Sequence, residues 1–210
     1  MKALDAIQVI NDLAASQRGL FTAAQVQAAG VTRLALARLA NHGQIERVGH
    51  GVYRAGGAPS TRVEDVLAAW MEFDPSTPTY LRDKGPQGFT ASLNTAAWLH
   101  GIGVLNPVPL AFSHPKRRQT SKKQLRFLKR ELELDDITVV SGIPVTSPRR
   151  TVLDLLDYGE DLSLVSGVLA DALEAGLIKA DAAFANDIQR RAKSYGFDSG
   201  ISLLEYMRGL

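Results

Sequence analysis

The sequence predicts an α+β protein: a small helical unit closed by one hairpin, then a mixed unit that ends in helices. Three observations carry this. Residues 1 to 57 spell helix, helix, helix, hairpin. Residues 58 to about 147 mix helical stretches with short β-favouring runs. From Ser147 onward only helical periodicity remains.

The elements follow in order. Leu4, Ile7, Ile10 and Leu13 recur three apart, one face of an amphipathic helix. The stretch QRGLFT breaks it. Thr22 with Gln25 three residues later forms a capping-box pattern, and Gly30 stops the second helix. Thr32 can cap the third helix, which Gly43 ends. Two short extended pieces, Ile45 onward and Val52–Tyr53, flank Gly49 and Gly51 and read as a β-hairpin. Three helices and a hairpin in this order describe a winged helix-turn-helix over residues 1–57.

A Gly/Pro/Ser linker then opens residues 58–210. Ser60 or Thr61 caps a helix to about Trp70, and Pro75 and Pro78 end it. GFTASLNTAAWLHGIG reads as a helix stopped at Gly101 or Gly103. PVPLAFSH is a strand candidate, and strands are expected around 125–132 and 137–146. Ser147 caps a helix with Pro148 in its first position. Three further helical patterns complete the chain.

The third helix has the polarity of a DNA reader. With Leu36 toward the core and about 100° per residue, Leu39, Ala40 and Thr32 share the inner side. Leu34, Arg38 and Asn41 face outward, with Ala37 beside them and Arg33 on the flank. Arg38 can reach guanine or phosphate, Asn41 adenine or backbone, and Leu34 a thymine methyl. Arg47, His50 and Arg54 on the hairpin would lie along phosphates.

Four histidines raise the question of a metal or catalytic site. His42 and His50 have no carboxylate pair or cysteine nearby, His100 lies in an apolar helix, and His114 opens a basic run. None has ligand spacing, so no metal and no cofactor is expected. A carboxylate nuclease could use Glu133 and Asp135 in RELELDD, but no Glu-x-Lys follows. An enzyme is not expected.

Bulk composition agrees with a globular chain. It has 210 residues, 45% hydrophobic and 22% charged, and no cysteine, which excludes disulfides and thiolate chemistry. No apolar run approaches the roughly 20 residues of a membrane span, and the N-terminus lacks a signal-peptide core. The expected compartment is the cytoplasm. Net charge is only +2, yet His114 to Arg130 carries eight cations and no acid: Lys116, Arg117, Arg118, Lys122, Lys123, Arg126, Lys129 and Arg130. Such a run is either a site for an anionic partner or a solvated face.

Residues 19–54, GLFTAAQVQAAGVTRLALARLANHGQIERVGHGVYR, resemble the N-terminal winged helix of AbiEi antitoxins of bacterial type IV toxin–antitoxin systems. TASLNTAAWLHGIG and GIPVTSPRRTVLDLLDYG resemble two segments of that family's second domain, so the resemblance spans about residues 15 to 160. It implies a first domain that binds inverted repeats in its own promoter and represses transcription. It implies a second domain that neutralises a nucleotidyltransferase-like toxin, with or without a stable complex, in phage defence. A DNA-contacting role carries over to Thr32, Arg33, Arg38, Arg47 and Arg54. The basic run then fits a second nucleic-acid or partner face. Arg149 and Arg150 oppose the dipole at a helix start, which points either to a partner or to a salt bridge with Asp154 or Asp157.

Two other functions stay open at this point. One is a winged-helix transcription factor whose second domain senses a ligand or dimerises. The other is a nucleic-acid enzyme with a winged-helix targeting domain.

Overall fold

The structure is a computed structural model and describes residues 3–209. The chain forms two compact units, Met1–Asp83 and Lys84–Leu210.

The first unit runs α1 (Ala3–Ala15), β1 (Leu20–Thr22), α2 (Ala23–Ala28), α3 (Arg33–Asn41), β2 (Ile45–Gly49), β3 (Val52–Ala55) and α4 (Glu64–Glu72). The capping box is present: Thr22 accepts from the Gln25 N–H, and Gln25 accepts from the Thr22 N–H. Thr32 caps α3 by accepting from the Ala35 N–H at 3.2 Å. The buried stripe of α1 is Ala6, Ile10 and Ala14, with Ile7 and Leu13 at its margin and Leu4 exposed. Small alanines let the helix approach closely, which rotates the stripe from the one expected. Phe21, Val26, Val31, Leu36, Leu39 and Ile45 complete this core.

β1 is absent from the sequence expectation. Its three residues are too few to show alternation, and all are buried. Leu20, Phe21 and Thr22 pair with Arg54, Tyr53 and Val52, so the sheet has the order β1-β3-β2, all antiparallel. Gly51, at φ +70°, makes the reversal between β2 and β3.

The compact unit also continues past residue 57. A buried polar network holds residues 73–82 to the helices. Gln17 and Gln25 exchange side-chain hydrogen bonds at 3.0 Å, Gln17 accepts from the Thr79 N–H, and Gln25 donates to the Thr77 carbonyl.

The second unit runs β4 (Thr90–Ala91), α5 (Leu93–His100), β5 (Leu110–His114), β6 (Leu125–Lys129), β7 (Ile137–Val140), β8 (Ile143–Thr146), α6 (Pro148–Tyr158), α7 (Leu162–Glu174), α8 (Ala182–Ala192) and α9 (Gly200–Gly209). The sheet order is β6-β5-β4-β8-β7, with β5–β6 and β4–β8 parallel. The stretch expected as one helix from Gly88 divides into β4 and α5. The 137–146 run is two strands folded back at Ser141 and Gly142, both at positive φ. Leu93, Val152, Leu155, Val168, Leu169, Phe184, Ile188 and Leu203 form the core of this unit.

Two imidazoles are built into the second unit. His100 Nε2 lies 2.8 Å from the Thr146 carbonyl and donates to it. His114 Nδ1 accepts the Lys116 N–H at 3.0 Å. Burial pushes both below the ordinary histidine value. A depressed folded pKa gives stability that is complete above about pH 6.5 and is lost as pH falls through the folded value. The urea midpoint of the second unit should therefore fall as pH is lowered below about 6.5. His100→Gln, which keeps a donor for Thr146, should flatten its share of that drop.

Candidate nucleic-acid interface

Leu36 and Leu39 anchor α3 in the core of the first unit. Arg33, Leu34, Ala37, Arg38 and Asn41 are exposed along its other side. This is the face expected from the sequence. Arg33 is not loose: its Nε donates to Gln27 Oε1 on α2 at 3.2 Å. His42 is the C-cap of α3.

The wing is less cationic than its sequence suggests. Arg47 is exposed and donates from Nε to the Gly49 carbonyl at 3.1 Å. His50 sits in the turn, and its backbone N–H donates to Glu72 Oε1 at 2.6 Å. Arg54 is committed elsewhere. It donates to both Glu64 oxygens, at 2.9 and 2.8 Å, and to Glu46, its cross-strand partner. Hydrogen bonding to Glu64 and the charges of Glu64 and Glu46 raise the Arg54 pKa above its usual value. Arg54, expected from the sequence to lie along phosphates, is thus engaged by two carboxylates within its own unit.

The basic run divides in a similar way. Lys116, Arg117, Arg118, Lys122, Lys123 and Lys129 are exposed, on or next to the loop between β5 and β6. Arg118 lies over the Phe89 ring at 5.5 Å and Arg126 over the Tyr158 ring at 4.9 Å. Arg118, Gln119, Thr120, Ser121, Leu125, Arg126 and Phe127 line an open depression of about 590 Å³. Arg130 turns inward instead and pairs with Asp154, whose side chain is fully buried. It is a structural cation and not part of the exposed patch.

The Arg149 and Arg150 question resolves toward ion pairs. Arg149 pairs with Asp187, and Arg150 bridges Asp154 and Asp136 at 2.7 Å each. Asp157 pairs with Arg191 instead.

Residues 8–56 match the family model described as "Transcriptional regulator, AbiEi antitoxin". Residues 89–192 match the model described as "AbiEi antitoxin C-terminal domain". The chain belongs to the AbiEi antitoxin family. No curated protein matches it. Among solved structures it is similar to the RV2827C protein from Mycobacterium tuberculosis, with a TM-score of 0.53 and 16% identity over 95% of this chain and 80% of that one. At that identity the likeness concerns the fold.

In this AbiEi-family chain the two acids weighed for a nuclease lie close together on the surface. Glu133 and Asp135 are exposed at a 3-10 turn, Leu134–Asp136, where a strand was expected to reach residue 132. Asp136 is taken by Arg150. Among the described residues no three His, Cys, Asp or Glu are placed to hold a metal ion. Among them, too, no helix is long and apolar enough to cross a membrane.

Sequence reasoning missed Gln27, Glu46, Glu64 and Glu72. Glu46 was recoverable, because drawing the hairpin register sets it opposite Arg54. Glu64 and Glu72 lie on α4, beyond the expected domain end, and no local pattern links them to the wing.

Proposed function

We propose that this protein is the antitoxin of a type IV toxin–antitoxin pair. It binds inverted repeats in its own promoter, represses transcription, and restrains a nucleotidyltransferase-like toxin through its second unit. The observation that supports this best is the outer face of α3: Leu34, Arg38 and Asn41 exposed in one stripe, on a helix capped by Thr32 and anchored by Leu36 and Leu39. Family membership supports the regulator and antitoxin roles together. The phosphate contacts fall to Arg33, Arg47 and His50, with Arg54 as a brace inside the wing. Lys116, Arg117, Arg118, Lys122 and Lys123 form a second anion-binding face.

Two measurements test the proposal. A gel shift on the protein's own upstream region should show binding, with an affinity that falls steeply with salt. Arg47→Ala should reduce the salt slope by about one, while Arg54→Ala leaves it unchanged. Co-expression with the toxin gene should restore growth. Absence of any shift sinks the repressor half of the proposal, and absence of rescue sinks the antitoxin half.

A further inference from the structure

An exposed leucine is ordinary on a protein surface. Leu34 is informative because of where it stands. It is 61% exposed at the second residue of α3, among Arg33, Arg38 and Asn41. Leu34, Arg38 and Asn41 are spaced four and three residues apart, so they stack in one stripe. The stripe advances about 10 Å along the helix, close to the rise of three base pairs.

Arg33 does not compete for the leading position. Its Nε is held by Gln27, which draws the guanidinium back toward α2. Leu34 is then the foremost side chain at the N-terminal end of the helix, where base edges are approached. Ala37, on the same exposed side, is too short to obstruct it.

The major groove offers one methyl group at its floor, the C5-methyl of thymine. Apart from the smaller C5–H of cytosine, the other base edges there are hydrogen-bond donors or acceptors, which a leucine would desolvate without replacement. We infer that Leu34 reads the C5-methyl of a thymine in each half-site, beside the base pair that Arg38 contacts. This rests on the proposed DNA binding and names what the reading helix selects.

Replacing thymine by uracil removes the methyl and leaves the hydrogen-bonding edge unchanged. Binding sequences would first be selected from a random duplex pool with the full-length protein. Uracil would then replace each thymine singly, and binding would be measured for the wild type and for Leu34→Ala. Alanine suits an exposed helical position, so the variant should fold. For the wild type, uracil at one position in each half-site should weaken binding about fourfold, the worth of one buried methyl. For Leu34→Ala the same replacement should cost nothing, and the two losses should not add. If no position is sensitive to uracil, or if Leu34→Ala keeps every penalty, the inference is overturned while DNA binding stands. A pool in which no sequence is enriched overturns the DNA-binding reading itself, and this inference with it.

Discussion

Arg82→Ala is expected to destabilise the first unit by about 3 kcal/mol, the scale of losing hydrogen bonds to a buried charge. Arg82 is 9% exposed, and among the described residues its hydrogen bonds go to backbone carbonyls. These lie where α4 ends: Trp70 at 2.6 Å, Met71 at 2.9 Å, Thr77 at 3.0 Å, and Asp74. The guanidinium also lies 4.8 Å from the Trp70 ring centroid. Burial pulls its pKa down to about 10, so it is still a cation at neutral pH. A cation is favoured at a helix C-terminus, and here it also donates to the buried carbonyls of Trp70 and Met71.

Alanine would take this donor from the buried Met71 carbonyl and from Asp74, while Trp70 keeps the Phe73 N–H and Thr77 keeps Gln25. Arg82→Lys should recover only part of the loss, because a single ammonium cannot span acceptors that a planar fork reaches together. Urea unfolding of the full chain, followed by Trp70 fluorescence in a Trp98→Phe background, would measure both variants. The effect should reach α2 and the helices packed with it. The loop that Arg82 folds supplies the Pro75 carbonyl to Thr22 and the Thr77 carbonyl to Gln25, at the start of α2. An Arg82→Ala protein with wild-type stability would show that the carbonyls find other partners.

The contrast between Thr22 and Arg82 shows what the sequence could disclose. Thr22 and Gln25 sit three residues apart, and so do Thr32 and the Ala35 N–H it caps. Such signals are local, and they placed α2, α3 and the start of α6 correctly. The outward face of α3 followed from helical geometry alone. Arg82 instead acts on residues five to twelve positions earlier, through backbone atoms that carry no sequence pattern. β1 needed β3 as a partner before it could be recognised as a strand.

The candidate site divides along the same line. Exposed Leu34, Arg38 and Asn41 were legible, because exposure on a helix follows from periodicity. Arg54 and Arg130 were not, because a cation's availability depends on the acids the fold brings to it. Glu64 lies ten residues from Arg54 and Asp154 twenty-four from Arg130. A count of basic residues therefore overstated both the wing and the second patch. The wing holds Glu46, and Glu64 and Glu72 reach it from α4. Under the proposed function, its contribution to binding would come from shape and from Arg47 more than from summed charge.

Asp154→Ala should cost the second unit about 3–5 kcal/mol, the penalty for removing one partner of a buried ion pair. Asp154 Oδ1 accepts from both Arg130 and Arg150, and Arg150 reaches on to Asp136. The network ties the end of β6 to α6 and to the turn before β7. Burial pushes the Asp154 carboxyl above the usual carboxylate range, and the two guanidiniums pull against that shift. Its Oδ2 is buried and has no hydrogen-bond partner among the described residues. The pair therefore carries a desolvation cost that its hydrogen bonds offset only in part.

Two substitutions separate the charge from the packing. Asp154→Ala strips Arg130 of its carboxylate, while Arg150 keeps Asp136. Arg130→Met combined with Asp154→Leu removes the mismatch and fills the space with apolar groups. The double variant should regain most of the stability lost by the single one, as replacement of a buried pair by packed hydrophobes commonly does. Urea denaturation of the single and double variants would measure it. If the double variant is as unstable as Asp154→Ala, the network holds β6 against α6 by its hydrogen-bond geometry and not merely by avoiding an unpaired charge.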